Sequence, residues 1–228
     1  MAYKDLREFI ADLEQRGLLK RIRAEVDPEL EITEITDRIS KRKGKENVAL
    51  LFENVKGSRM PVLMNAFGSY ERMALGLGVE KLDDIADELR EMLKLPYLSL
   101  QNKMNVVTLI PTIKKAINFP KYVKNAPCQE VVETENPSLD EIPILKCWPH
   151  DGGPFVTLPL VFTKNPKTGK RNVGMYRLQK YDSKTTGMHW HIHKNGAENF
   201  RDTKALGGEK IECAVAIGTD PAVTYAAT

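Results

Sequence analysis

Residues 172–195, NVGMYRLQKYDSKTTGMHWHIHKN, crowd more groups able to do chemistry into a short space than any other stretch of the chain. Three of the four histidines, His189, His191 and His193, stand there at two-residue intervals. Imidazoles so spaced offer metal ligands or acid–base groups near neutral pH. Trp190, Ile192 and the preceding Thr185-Thr186-Gly187 favour a strand over 187–193, on which the three rings share one face. Each two-residue step then rises about 6.6 Å, so His189 and His193 stand about 13 Å apart and cannot share one ion, although neighbouring pairs can. A zinc hydrolase also needs an acidic base of the HExxH kind, and none accompanies these histidines.

Upstream, NVGMYRLQ reads as part of a strand over 172–181. Ideal alternation turns Asn172, Gly174 and Tyr176 one way and Met175, Arg177 and Gln179 the other. As a ligand wall, Arg177 would hold a carboxylate or phosphate and Asn172 a metal or phosphate. A barrel strand with one wet face accounts equally for the composition. Asn172 and Arg177 are an odd number of residues apart. For both to reach one site the strand must bulge or twist, with Gly174 a natural place, or Asn172 must lie off it.

These strands need a scaffold. Residues 4–16 repeat Leu6, Phe9, Ile10 and Leu13 at helical spacing before Gly17. Residues 18–26 read as a strand and 29–42 as a helix with Leu30, Ile32, Ile35 and Ile39 inward. The basic run at 41–45 is a solvated helix end. Short strands follow at 48–52 and 61–65, then a helix over 70–77 capped by Ser69, and a helix over 82–93 ended by Pro96. This alternation predicts an α/β layer. Beyond about residue 105 the chain becomes a Pro-punctuated connector over 111–127 and then strand-rich: 128–134, 144–148, 157–164, the two stretches above, and 210–218. Asn165-Pro166-Lys167-Thr168-Gly169 is a hairpin turn, and 195–206 is helical. Short strands joined by hairpins predict a barrel or sandwich.

The 228 residues carry 42% hydrophobic and 29% charged side chains and a formal charge of +3, too weakly basic to argue for nucleic acid. No apolar run approaches the ~18 residues of a membrane span, and MAYKDLREF has no signal-peptide pattern. Cys128, Cys147 and Cys213 are isolated and read as small buried or spectator thiols of a reducing compartment. The expectation is a soluble, cytoplasmic protein. The closing IGTDPAVTYAAT reads as a strand, a turn and a helix cut off in mid-element, as in the front portion of a longer protein.

Together, DGGPFVTLPLVFTKNPKTGKRNVGMYRLQ, GMHWHIHKNGAE and AIGTDPAVTYAAT resemble the UbiD family of reversible decarboxylases that use prenylated flavin mononucleotide. MAYKDLREFIADLEQRGLLKRI is similar to that family's start, so the likeness runs along the whole chain. Its specificity lies in the joint match of Asn-x-Gly-x-Tyr-Arg-x-Gln with His-Trp-x-x-His-Lys. The resemblance implies an α+β fold: an N-terminal α/β domain over 1–110, then over 111–228 the first part of a split β-barrel of flavin-reductase-like type, incomplete at the C-terminus. It implies that Asn172 and His193 ligate a Mn2+ or Mg2+ ion on the cofactor phosphate, with K+ as a further cation. It makes Arg177 the catalytic arginine for the substrate carboxylate. Met175, Tyr176, Gln179, Trp190, Lys194, Ala227 and Thr228 join these three as cofactor-binding residues, with His189 and His191 as lining or supporting groups.

The implied partners are a small aromatic or α,β-unsaturated acid, CO2, a flavin prenyltransferase that supplies the cofactor, and further copies in a homo-oligomer. Neither nucleic acid nor a membrane span is implied. Family members are roughly twice this long. Their third metal ligand, a glutamate, and the glutamates that work with the arginine lie beyond the position of Thr228. Glu198, Glu209 and Glu212 lie upstream and do not match. The chain alone is therefore expected to be inactive. Two other readings stay open: a non-catalytic cofactor-binding or assembly module, and a flavin reductase-like split barrel using ordinary flavin and a nicotinamide.

Overall fold

Apolar residues on both sides of one strand dictate the N-terminal architecture. The computed structural model describes residues 3–101 and 122–228. In it β1 (Leu19–Val26) runs parallel to β2 (Ala49–Val55), and β3 (Val62–Met64) pairs antiparallel on the other side of β2. Ala49, Leu50, Leu51 and Phe52 are all buried. Successive side chains point to opposite faces, so such a run needs cover on both. Ala49 and Leu51 pack with Phe9 and Leu13 of α1 (Leu6–Gln15), and Leu50 and Phe52 with Ile32 of α2 (Glu31–Ser40).

Local signals set the helix ends. The Asp5 carboxylate accepts from the Glu8 amide at α1, and the Ser69 hydroxyl from the Arg72 amide at α3 (Tyr70–Leu77). Gly78 closes α3 at φ 74°, a left-handed conformation that glycine adopts at no steric cost. The next helix, α4 (Leu82–Gln101), runs through Pro96, where the sequence predicts its end. An interior proline removes one backbone hydrogen bond and crowds the carbonyl four residues back, which ends some helices and only kinks others.

The later segment docks on the same sheet: Leu145 joins the core on the α2 side and Lys146 bridges Glu29. There follow β4 (Phe155–Val156), β5 (Leu160–Lys164), β6 (Arg171–Met175), β7 (Leu178–Lys180), β8 (Thr186–Met188), α5 (Asn195–Ala205), β9 (Ala214–Ala216) and α6 (Pro221–Ala226). They make two antiparallel sheets, ordered β4-β7-β8 and β6-β5-β9. The predicted hairpin turn joins β5 to β6, with the Asn165 carboxamide oxygen accepting from the Lys167 and Thr168 amides.

The fold is mixed α+β, and the described strands form three separate three-stranded sheets rather than a closed barrel. Two predicted strands are absent. Pro127–Gln129 form a short 3-10 turn, and Val131 and Val132 are exposed and belong to none of the described strands. Residues 144–148 make only single bridges at Leu145 and Lys146. Cys128 and Cys213 are exposed free thiols rather than buried ones. The compact units are Met1–Gly78 with Ser138–Thr228, and Val79–Pro137. The predicted domain boundary at 110–111 lies outside the described residues. Among them, no helix is long and apolar enough to cross a membrane.

Candidate functional site

The predicted strand over 172–181 is two strands in two sheets. Met175 of β6 pairs with Leu160, whereas Leu178 of β7 pairs with Val156 and Met188. Tyr176 and Arg177 make the crossing, so alternation is not carried from Asn172 to Arg177 and their odd spacing does not by itself set them on opposite faces. The crossing depends on Gly174. A Cβ there would lie 2.5 Å from the Tyr176 hydroxyl and 2.6 Å from its ring, because the tyrosine folds back over its neighbour.

Tyr176 is buried, and its hydroxyl accepts from the Gly196 amide (3.1 Å) at the start of α5. Its ring meets Trp190 edge-on at 6.2 Å, and Trp190 packs on Phe200 at 5.9 Å. Any side chain at 196 would come within 2.9 Å of the Trp190 indole nitrogen, so this close approach requires glycine. Further along α5 the Asn199 amide donates to the Thr163 hydroxyl (2.8 Å), and Asn165 donates to Asn199 and Asp202. The Lys167 ammonium (2.7 Å), then Asn165, holds the Asp202 carboxyl below the usual carboxylate range. The crossing residue and the β5–β6 turn thus pin α5 at both ends.

This pinning also ends β8 at Met188, before the histidines, and corrects the strand predicted over 187–193. The chain must turn to enter α5, and the Arg201 guanidinium holds that turn by donating to the Ile192 carbonyl (2.7 Å). The rings therefore gather instead of spreading about 13 Å along a strand. His189 and His191 lie 4.6 Å apart edge-to-face, with their Nε2 atoms 3.3 Å apart, and His193 stacks on His191 at 5.6 Å.

The other predicted residues are placed as follows. The Asn172 carboxamide oxygen accepts from the side chain of Asn195 (2.9 Å), two residues past His193. Its nitrogen is buried without a partner. Arg177 is exposed, its guanidinium 4.7 Å above the Phe155 ring and its carbonyl accepting from the His189 amide (3.1 Å). Gln179 lies over the Asp151–Pro154 turn, where a Cβ on Gly152 would come within 2.9 Å of its amide nitrogen. The Met175 amide donates to the carbonyl of buried Ala227 (2.7 Å), while exposed Thr228 turns its hydroxyl back to Tyr225. Lys194 is exposed at the head of α5.

A divalent cation fits one of these residues well. A buried amide with one end bonded and the other unmet costs free energy. Turning the Asn172 amide by half a turn, with Asn195 turning its own so that its oxygen accepts in place of donating, would put oxygen, a cation ligand, at the unmet place and keep the bond between the two side chains. Asn172 and His193 would make only part of a coordination sphere, and among the described residues no set of three or more His, Cys, Asp or Glu is placed to hold an ion. Phe155, beneath Arg177, also lines an apolar cavity of about 330 Å3 with Met60, Val62, Phe67, Ile144 and Leu158.

Sequence reasoning overlooks Asn195, Gly196 and Phe155. Asn195-Gly196 directly before a helical stretch is a signal for a special chain entry. The place of Phe155 under Arg177 comes from the β4–β7 pairing, which local sequence does not reveal.

Comparison with known proteins agrees with this architecture. Residues 10–91 match the family model described as 3-octaprenyl-4-hydroxybenzoate carboxy-lyase N-terminal domain, and residues 121–228 the one described as its Rift-related domain. An uncharacterized protein of Archaeoglobus fulgidus is 53% identical over 228 residues, all of this chain and 46% of that protein. The closed form of vanillic acid decarboxylase from Sedimentibacter hydroxybenzoicus is 31% identical with a TM-score of 0.81, over 99% of this chain and 45% of the other. An evolved dimeric form of the UbiD-class enzyme HmfF from Pelotomaculum thermopropionicum, in complex with prFMN, is 29% identical with a TM-score of 0.76, over 97% of this chain and 46% of the other. The chain thus spans under half the length of these relatives.

Proposed function

Because the chain belongs to the UbiD family, whose members are carboxy-lyases, we propose that the protein carrying it decarboxylates an aromatic or α,β-unsaturated carboxylic acid reversibly and without oxidation. Prenylated FMN and a divalent ion, Mn2+ or Mg2+, serve the reaction. The observation that carries this reading is the folding of residues 172–195 onto themselves. Asn172, with an unmet buried amide end, is tied beside the turn that bears His193, while Arg177 stands exposed on Phe155.

Each residue has a physical task. The guanidinium stays charged and presents a planar fork of donors, so Arg177 favours an ionised substrate carboxylate and orients it. Phe155 fixes the plane of that fork, a contact worth about 0.5–1 kcal/mol at an exposed position. The apolar cavity sharing Phe155 suits a hydrocarbon or aromatic body better than a polar one. Asn172 and His193 would hold the divalent ion against the cofactor phosphate through an amide oxygen and an imidazole nitrogen. The prenylated flavin supplies the electron sink that loss of CO2 demands. Tyr176 and Trp190 back the cofactor wall from the inside. Met175, Gln179, Lys194, Ala227 and Thr228 complete its contacts in a split barrel closed by chain outside these residues. The remaining metal ligand and the proton-transferring carboxylates also come from outside them. A prenyltransferase supplies the cofactor, and the whole protein assembles as a cytoplasmic homo-oligomer.

Variants of the whole-length protein test this. Arg177→Ala lowers kcat by about 10²–10³ with flavin retained, whereas Asn172→Ala and His193→Ala lose the flavin itself. Wild-type turnover and flavin content in all three would refute the assignment. A second reading, a non-catalytic cofactor-binding or assembly module, applies to the chain alone, which spans under half the length of its relatives.

A further inference from the structure

We propose that His189 and His191 form a binding site for a transition-metal ion of the Zn2+, Ni2+ or Cu2+ class, separate from the Asn172–His193 position and independent of the decarboxylase reading. The two Nε2 atoms converge to 3.3 Å. Two metal–imidazole bonds of about 2.0–2.1 Å at the tetrahedral angle hold their nitrogens about 3.3–3.4 Å apart. At that distance one imidazole N–H donates to the other ring's nitrogen. The same separation is the bite of two ligands on one tetrahedral ion, so an ion would take the place of that shared proton as the donor ring moves its proton to Nδ1.

The backbone holds it there. The His189 amide donates to the Arg177 carbonyl (3.1 Å), and the His191 carbonyl accepts from the Lys194 amide (3.0 Å). Both histidines are exposed, so an ion can enter and water can fill its other positions. His193 stands apart from the bite, because its ring stacks on His191 at an interplanar angle of 22°. A stacked ring offers its neighbour a face and keeps its nitrogen lone pair in the ring plane. The donor sets differ between the two positions: two imidazoles suit Zn2+, Ni2+ and Cu2+, whereas one amide oxygen with one imidazole is a harder set.

Calorimetric titration of the 228-residue chain with ZnCl2 at neutral pH, beside a MgCl2 titration, tests the site. The wild type takes up one Zn2+, and Mg2+ does not compete for it. His189→Ala and His191→Ala each weaken the zinc affinity about tenfold or more, as does His191→Gln, which preserves side-chain bulk. His193→Ala leaves it near wild type. Circular dichroism confirms that each variant is folded. Absence of zinc uptake by the wild type, or a loss in His193→Ala as large as in His191→Ala, would overturn the proposal.

Discussion

Tyr176 lies inside a motif that reads as ligand-facing, yet its hydroxyl is used on the Gly196 amide. Removing it in Tyr176→Phe leaves a buried N–H unpaired and costs about 1–3 kcal/mol, which urea unfolding would measure. Gly174→Ala forces the tyrosine ring off its seat and costs about 1–3 kcal/mol in the same assay. Asp202 gives a pH signature. Lys167 and Asn165 depress its folded pKa, so its contribution is present above the unfolded value of about 3.9 and is lost as pH falls through the folded one. Asp202→Asn is therefore less stable than wild type at pH 7, and the gap between the thermal melts of the two starts to narrow near pH 4 and closes only below the depressed folded pKa. Equal melting at both pH values would contradict the placement of this ion pair. Residue types at this scale were legible; their partners were not, because Asn195 meets Asn172 only through the docking of α5 beside β6, and Phe155 meets Arg177 only through the β4–β7 pairing.

At the scale of elements, patterns with short-range causes were readable. The Ser69 cap, the α1 stripe of Phe9 and Leu13, and the turn at Asn165 all depend on neighbours within a few residues. The two sharpest departures have long-range causes. Tertiary folding of Tyr176 onto α5 breaks the strand between β6 and β7, and the same anchor stops β8 before the histidines. No periodicity within 172–193 encodes where α5 will sit. The crossing brings Arg177 over Phe155, which leads to a measurable consequence in the whole-length enzyme. Phe155→Leu keeps the apolar bulk but removes the cation–π contact, and lowers kcat/KM about two- to fivefold. An unchanged kcat/KM would show that the aromatic face does not orient the guanidinium.

The whole molecule is a family fold represented over under half its relatives' length. An N-terminal sheet covered on both faces supports two small antiparallel sheets that carry Asn172, Arg177 and the histidine turn. The family likeness and the mixed α+β class were legible in the motifs. The division of the described strands into three separate sheets was not, since it depends on pairings between distant segments. The 228-residue chain supplied with prenylated FMN and Mn2+ is expected to show no decarboxylation and weak or no flavin binding; turnover by the chain alone would mean that its own residues complete the site. The central claim, that Asn172 and His193 anchor a prenylated flavin through a divalent ion, is tested most directly by mass spectrometry of the small molecule retained by the whole-length protein, produced together with a flavin prenyltransferase. The wild type is expected to yield the mass of prenylated FMN, and Asn172→Ala and His193→Ala to lose it. Ordinary FMN in the wild type, or prenylated FMN retained equally by both variants, would contradict that claim.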